Sequence, residues 1–454
     1  QAVSGPPPRV EPRLRSASRA KMPRALRLVV ASVAAVGSRA ARRAAELRVV
    51  EALRNATSFA ELTPDGPPSA TVKELGMDKL AKIAGGTPVS WEETQIMRIL
   101  ESTGQDDYGE ITRLSLDLGD GQGPKRYIAK RVKPRKDSTI PRDPIKQAEH
   151  YRFLKSFAVE NSFYRELAEP LAEKGIVIPK AHHLPKTRPG QPYTILMEDL
   201  SERFPSGAGG MMRSMNRKEM QAALRWLASF HAAFWEEANA IDRGLHERGS
   251  YWILDGLGTL ELESVKDNYK NKYISNKEFK RLRAAAEAVD LRLAGRRATA
   301  PYDDAVPTHR TLVHGDAKYA NMLCSMHGGE LECAAIDFAW AGEGYAMYDV
   351  MYLLWGVMNG NEVRDHLAYY HKELTQRLPS GVRKGYSFSV MLKHFELCVL
   401  DFVRWWVGYY SGDYFWAMPW ALELMRVALN RLDGGQLKTP EEYAIAVDQM
   451  YTLD

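Results

Sequence analysis

The sequence predicts an α+β chain of two lobes, a small strand-rich part followed by a large helical part, with a cleft between them. Three observations carry this reading. "EITRLSLDL" (Glu110–Leu118) and "KRYIAKRVK" from Lys125 flank the turn-rich "GDGQGP" and read as a hairpin. One long helical pattern, about Pro144 to Glu173, follows them. Beyond Asn216 helical patterns dominate, apart from a short hairpin between Asn321 and Phe338.

The elements follow in order. Residues 1–45 are rich in Arg, Ala, Ser and Pro, with Glu11 their only acid. The stretch from Met22, "MPRALRLVVASVAAVGSRAARRAAEL", has the composition of an organelle transit peptide. Its "LVVASVAAVG" is also the length of a secretory apolar core, but is too short to span a bilayer. A surface helix or tail accounts for the same residues. The expected division is 1–60 as a basic extension or targeting segment, 61–200 as the small lobe with a lead-in helix, and 201–454 as the helical lobe. The expected location is the cytoplasm or an organelle, and no other stretch looks transmembrane. Residues 61–90 place "LTPDGPPSA" and "AGGTPVS" around a short helical pattern. Leu114, Leu116 and Leu118 alternate as in a strand, and "YTILMEDL" (Tyr193–Leu200) is a further apolar strand. The pair His182–His183 reads as a loop feature, and Asn55-Ala56-Thr57 fits a glycosylation pattern that matters only in a secreted chain.

Composition excludes several classes. The 454 residues are 45% apolar and 26% charged, ordinary for a soluble globular protein. The net charge of +5 arises largely before residue 50, and no long basic face argues for nucleic acid. Cys324, Cys333 and Cys398 show no C-x-x-C spacing and no neighbouring His pair. That argues against a disulfide framework and a zinc site, and for a reduced compartment.

Two charges stand in apolar places. Lys130, in "YIAKRV", shares a strand face with Ile128 and Val132. The strand alone leaves it inward or solvated. In the long helix Phe153, Phe157, Tyr164 and Leu167 form one stripe, and Glu160 falls on it. A carboxylate there is costly unless paired. Pairing Lys130 with Glu160 explains both, although Glu160 could instead snorkel at the edge of the stripe.

The polar stretch "LVHGDAKYAN" (Leu312–Asn321) carries the groups phosphoryl transfer needs: a base, hard oxygen ligands and a cation. Asp316 can be the base, Lys318 can neutralise the moving phosphoryl group, and Asn321 offers an oxygen to metal. "LECAAIDF" then brings Asp337 at the end of a short apolar strand, a second oxygen ligand for Mg²⁺. A lone H-G-D is a weak signal. H-G-D-x-K-x-x-N followed by I-D-F after a hairpin is a strong one.

The chain resembles the aminoglycoside phosphotransferase and choline kinase superfamily, and within it the ecdysteroid-kinase-like branch. The resemblance rests on "YIAK", "SFAVENSFYREL", "IVIPKAHH", "YTILMEDL", "LASFHAAFW", "LVHGDAKYANML" and "AAIDFAWAGEGYAMYDVMYLL", and covers roughly residues 70–440. It implies a bilobal protein-kinase-like fold and transfer of phosphate from ATP to a hydroxyl of a small molecule. By motif it implies Asp316 as catalytic base and Asn321 and Asp337 as Mg²⁺ ligands. Lys130 would hold the phosphates and Glu160 would orient it. Met197, Glu198 and Asp199 would form the hinge whose backbone meets adenine. Asp349 would brace the catalytic loop, a role compatible with helix capping.

The chain departs from the family at "STGQDDYGE", where Asp106 and Asp107 lie between Gly104 and Gly109. Carboxylates facing a triphosphate would repel it, so a catalytically weak kinase-like protein, acting as a binding or structural subunit, is the alternative to an active small-molecule kinase. Residues 236–306 hold no legible motif. Trp405, Trp406, Tyr409, Tyr410, Phe415, Trp416 and Trp420 exceed what one helix face can bury. They read as helical core, or in part as the wall of an acceptor pocket suited to a lipophilic or sterol-like alcohol or a choline-like cation. The acceptor's identity and the oligomeric state are not legible.

Overall fold

The computed structural model describes residues 71–100, 107–133, 144–186, 191–205, 215–254, 271–302, 308–357, 359–410 and 418–452. Two compact units are present. The smaller takes residues 1–62 and 136–151, of which 144–151 are described and begin a helix. The larger takes residues 63–135 and 152–454. The expectations for residues 1–60, Asn55 included, and for Gly104 and Asp106 lie outside the described residues.

The larger unit opens with α1 (Thr71–Leu75) and α2 (Met77–Ala84). Five strands follow: β1 (Ser90–Leu100), β2 (Asp107–Asp117), β3 (Lys125–Val132), β4 (Ala181–His183) and β5 (Tyr193–Glu198). They form one antiparallel sheet in the order β1-β2-β3-β5-β4. The helix α3 (Pro144–Glu173) comes between β3 and β4 in sequence and has the expected bounds. The histidine pair is a correction: Ala181–His183 is an edge strand, not a loop, and the His182 ring meets Tyr127 edge-on at 5.1 Å.

Both faces of the sheet are covered. Leu114, Leu116, Tyr127, Ala129 and Leu196 pack against Val72, Leu80 and Ala84 of α1 and α2. On this face Arg131 donates to Thr71 Oγ1 and Glu93 Oε1, each at 2.7 Å, so a buried guanidinium ties the lead-in helix to β1 and β3. The other face packs against α3 through Tyr108, Val132 and Phe157, and through Ile195 and Met197 with Val159 and Phe163.

The helical lobe contains α4 (Arg217–Ala233), α5 (Asn276–Leu293), α6 (Met347–Leu354), α7 (Gly360–Arg377), α8 (Ser380–Gly385), α9 (Phe388–Tyr410), α10 (Pro419–Asp433) and α11 (Pro440–Met450). Capping boxes start three of them, Asn216 with Glu219, Ser275 with Glu278 and Thr439 with Glu442. α4 packs on α7, and α9 on α5, α6 and α10. Phe402, Trp405, Trp406 and Trp420 are buried in this core. The side chains of Tyr409, Tyr410, Phe415 and Trp416 lie outside the described residues. No helix among the described residues is long and apolar enough to cross a membrane.

Four short strands complete the lobe. β6 (Arg310–Val313) pairs with β9 (Gly342–Tyr345), and β7 (Met322–His327) pairs with β8 (Glu330–Ala335) around Gly328 and Gly329. Cys324 faces Cys333 across the second pair, and the two form a disulfide. This corrects the reading of the cysteines, whose nine-position separation spans a tight hairpin. Cys398 is free and buried.

Candidate active site

β3 brings Lys130 inward, toward α3. Its Nζ lies 2.6 Å from Glu160 and 3.1 Å from Asp337 Oδ1. The Lys130 and Glu160 side chains are only 8% and 2% exposed, so each charge depends on the other for stabilisation. Burial pushes the Lys130 ammonium toward neutrality, but Asp337 and Glu160 outweigh it and hold the pKa above the ordinary lysine value. The pairing expected from two misplaced charges is therefore formed, and Asp337 joins it.

β6 delivers the loop His314–Asn321. Gly315 has φ 80, and a Cβ there would lie 2.1 Å from the Trp340 carbonyl oxygen, so only glycine fits. The Asp316 carboxylate is buried and asymmetric. Its Oδ2 accepts from Lys318 Nζ at 2.8 Å and Asn321 Nδ2 at 3.0 Å. Its Oδ1 is buried without a hydrogen-bond partner. Burial raises the Asp316 pKa and Asp337 adds to this, while Lys318 pulls the other way. Burial pushes Lys318 down, yet Asp316 outweighs it and raises its pKa.

Asp337 closes the group. It follows the β7–β8 hairpin and has φ 67, an uncommon backbone state that aspartate tolerates better than most residues. Its side chain is 39% exposed. Burial would raise its pKa, but the Lys130 and Lys318 charges hold it below the ordinary range.

Asp349 lies in the first turn of α6 but does not cap it. Its oxygens accept from the His314 amide at 2.6 Å and the Gly315 amide at 2.9 Å. Asp199 accepts from Arg113 and from the Ser201 amide, and Glu198 Oε2 accepts from the Lys180 amide. The Glu198 amide is bonded to the Lys180 carbonyl at 2.8 Å. Met197 is buried in the core.

Sequence reasoning missed three supports. His314 Nε2 donates to the Ile336 carbonyl at 2.9 Å, and its ring lies 4.6 Å from Phe338. Phe338 stacks on Phe163 of α3 at 3.9 Å, which couples the helix carrying Glu160 to the segment carrying Asp337. The signal was present in the aromatic residue directly after Asp337.

Two protein oxygens, from Asn321 and Asp337, fall short of an all-protein cage. Among the described residues no group of three or more His, Cys, Asp or Glu converges to hold a metal. Asn321 turns its Nδ2 to Asp316, which leaves its amide oxygen as the free donor atom. Mg²⁺ is commonly held by one or two protein groups together with phosphates and water, so this donor set fits a metal delivered with a nucleotide.

The fold defined by these elements is the bilobal, protein-kinase-like α+β fold. The chain belongs to the ecdysteroid kinase-like family, whose model matches residues 105–380. That places it among kinase-like small-molecule phosphotransferases. Similar solved structures include a microcompartment-associated aminopropanol kinase, at 16% identity and TM-score 0.43 over 76% of this chain and 94% of the other. Another is a Plasmodium vivax ethanolamine kinase, at 12% and 0.40 over 84% and 94%. A third is an aminoglycoside phosphotransferase mutant in ternary complex with ADP and hygromycin B, at 14% and 0.37 over 78% and 98%. No curated protein matches the chain.

Proposed function

We propose that this protein is an ATP- and Mg²⁺-dependent phosphotransferase that phosphorylates a hydroxyl of a small molecule. The observation that carries the reading is the Asp316 carboxylate, one oxygen held by Lys318 and Asn321 and the other buried with no partner. A structural aspartate in a turn would have its oxygens taken by local backbone amides. Here the unpartnered Oδ1 is the atom to accept the acceptor hydroxyl's proton as the hydroxyl oxygen attacks the γ-phosphorus and the bond from that phosphorus to the β,γ-bridging oxygen breaks, releasing ADP. The raised pKa makes Asp316 a better base than an exposed aspartate.

Lys318 neutralises charge on the moving phosphoryl group and keeps Asp316 oriented. Lys130, fixed by Glu160, meets the α- and β-phosphates. Asn321 and Asp337 would hold Mg²⁺, which when bound supplies charge neutralisation on the phosphates. Adenine would meet the remaining backbone groups of Met197–Asp199, since the Glu198 amide is already bonded. The acceptor would be an alcohol with a lipophilic or choline-like body. Tyr251 and Trp340, half-buried rings 5.4 Å apart, support this, and the Tyr251 hydroxyl bonds that of Tyr352. Such ring faces bind apolar surface and cations alike.

The test is a thermal shift with Mg²⁺-ATP, then a mass-spectrometric screen of a metabolite pool for phosphorylated products. Nucleotide at a hundred times its Kd adds about 2.7 kcal/mol of stability. No shift at millimolar Mg²⁺-ATP would sink the proposal.

A further inference from the structure

A cavity of about 240 Å³ lies between the lead-in helices and the β4–β5 edge of the small sheet. α2 supplies Lys79 to its lining, and β4, β5 and the residues beside them supply His183, Lys186, Gln191 and Thr194. Thr194 stands opposite Arg131 in the β3–β5 ladder, whereas Lys130 stands opposite Ile195. The cavity and Lys130 are therefore on different faces of the sheet. Lys79 Nζ lies 3.2 Å from His183 Nε2. An ammonium only donates, so Nε2 accepts and Nδ1 carries the ring proton. Burial, and after it Lys79, lower the His183 pKa, which keeps the ring neutral. Among the described residues neither Lys79 nor Lys186 forms an ion pair. Glu74 is the one acid among the described residues of the lining, so the two ammonium groups outweigh it by one charge. Exposed lysines alone are a solvated surface, but Thr194 is 2% exposed and its hydroxyl has no hydrogen-bond partner. A buried hydroxyl in that state is destabilising, and a ligand oxygen would relieve it.

We infer that this cavity is a binding site for a phosphate group, held by Lys79 and Lys186 and met from below by the Thr194 hydroxyl. The available groups are donors: two ammonium groups, a hydroxyl, the His183 Nδ1–H and the Gln191 amide. A phosphate presents its oxygens in a tetrahedral array, enough for donors arriving from α2, from the strand edge and from the floor. A carboxylate presents only two oxygens in one plane and leaves part of the set unused. Charge-assisted hydrogen bonds of this kind are the strong ones. Bound there, the anion bridges α2 to β5, the strand that runs from Tyr193 to Glu198. It clamps the lead-in helix to the sheet. The site uses no residue of the Asp316 cluster, so it stands or falls independently of the phosphotransferase reading.

The test is hydrogen exchange of a peptide spanning residues 77–84 of the full chain, followed as inorganic phosphate is titrated at constant ionic strength. Phosphate at ten times its Kd should slow exchange there about tenfold. Combining Lys79→Gln with Lys186→Gln, two exposed side chains, should abolish the protection. Thr194→Val should weaken phosphate about tenfold without lowering the melting temperature, because the hydroxyl it removes has no partner in the free protein. Glu74→Gln should tighten phosphate about threefold, since it removes the opposing charge. Glycerol phosphate, as a second arm, separates the sources of the group: protection at a lower concentration than inorganic phosphate assigns an ester, and equal protection assigns the free ion. No protection of the wild type at tens of millimolar phosphate would overturn the site. So would protection that persists in the double lysine variant, which would mark a general salt effect or binding elsewhere.

Discussion

Replacing Lys130 with Met removes the cation that a buried carboxylate depends on. At 2.6 Å and an effective dielectric near 20, the Lys130–Glu160 attraction is about 6 kcal/mol before desolvation. Breaking such a pair from one side leaves an uncompensated charge and costs about 3–5 kcal/mol. Asp337 adds little to that loss, because its side chain is 39% exposed and water can replace the ammonium. For a unit this large each kcal/mol moves the melting temperature by roughly 1.3 °C, so Lys130→Met should melt roughly 4–6 °C lower. The loss has a direction in pH. Burial already raises the Glu160 pKa, and Lys130 is what opposes it. Without Lys130 the folded pKa rises further above the unfolded value, so the deficit is smallest in acid and grows as pH rises. Adding Glu160→Leu to Lys130→Met should recover most of the loss, since an apolar pair of similar volume tolerates the same site. The assay is thermal melting of both single variants and the double variant at pH 5.5 and 8. Additive losses, or a Lys130→Met deficit that shrinks as pH rises, would refute the reasoning.

Three further outcomes follow from the same geometry. Asp337→Ala should weaken Mg²⁺-dependent ATP binding by roughly two orders of magnitude, about 2.8 kcal/mol, read by titration calorimetry with and without Mg²⁺; metal-dependent affinity that survives removes Asp337 from the ligand set. The acid limb of the kcat/KM profile should lie above the ordinary aspartate pKa, and Lys318→Met should move it further up, because Lys318 is the group lowering the Asp316 pKa. A limb that moves down contradicts the Asp316–Lys318 coupling. Opening the Cys324–Cys333 bridge by Ser substitution should cost about 2–3 kcal/mol. Alkylation of the unfolded, unreduced protein should label Cys398 alone, and three labelled cysteines would exclude the bridge.

Much of the fold was legible because its signals were periodic. The stripe of α3 gave its length and placed Glu160 on the buried face, where the structure has it. β1 was harder. Ile96 sits at a shift in the pairing register and is exposed with Trp91 and Met97, so the strand lacks clean alternation. Lys130 was ambiguous because both sheet faces are covered, and its neighbour Arg131 is buried on the opposite one. The disulfide was readable in principle: Gly328 and Gly329, both at positive φ, centre a two-residue turn that sets Cys324 opposite Cys333. His231 lies in the motif "LASFHAAFW", but a histidine on an apolar helix face has many uses, and only the assembled fold sets it against Asp349.

The most direct measurement compares wild type with Asp316→Asn in phosphorylating a metabolite pool from labelled ATP, with Mg²⁺-ATP affinity measured alongside. If Asp316 is the base, the Asn variant binds nucleotide as the wild type does and forms the same product about a hundredfold or more slowly, the usual scale for losing general-base help. A product formed at the wild-type rate by the Asn variant would contradict the account.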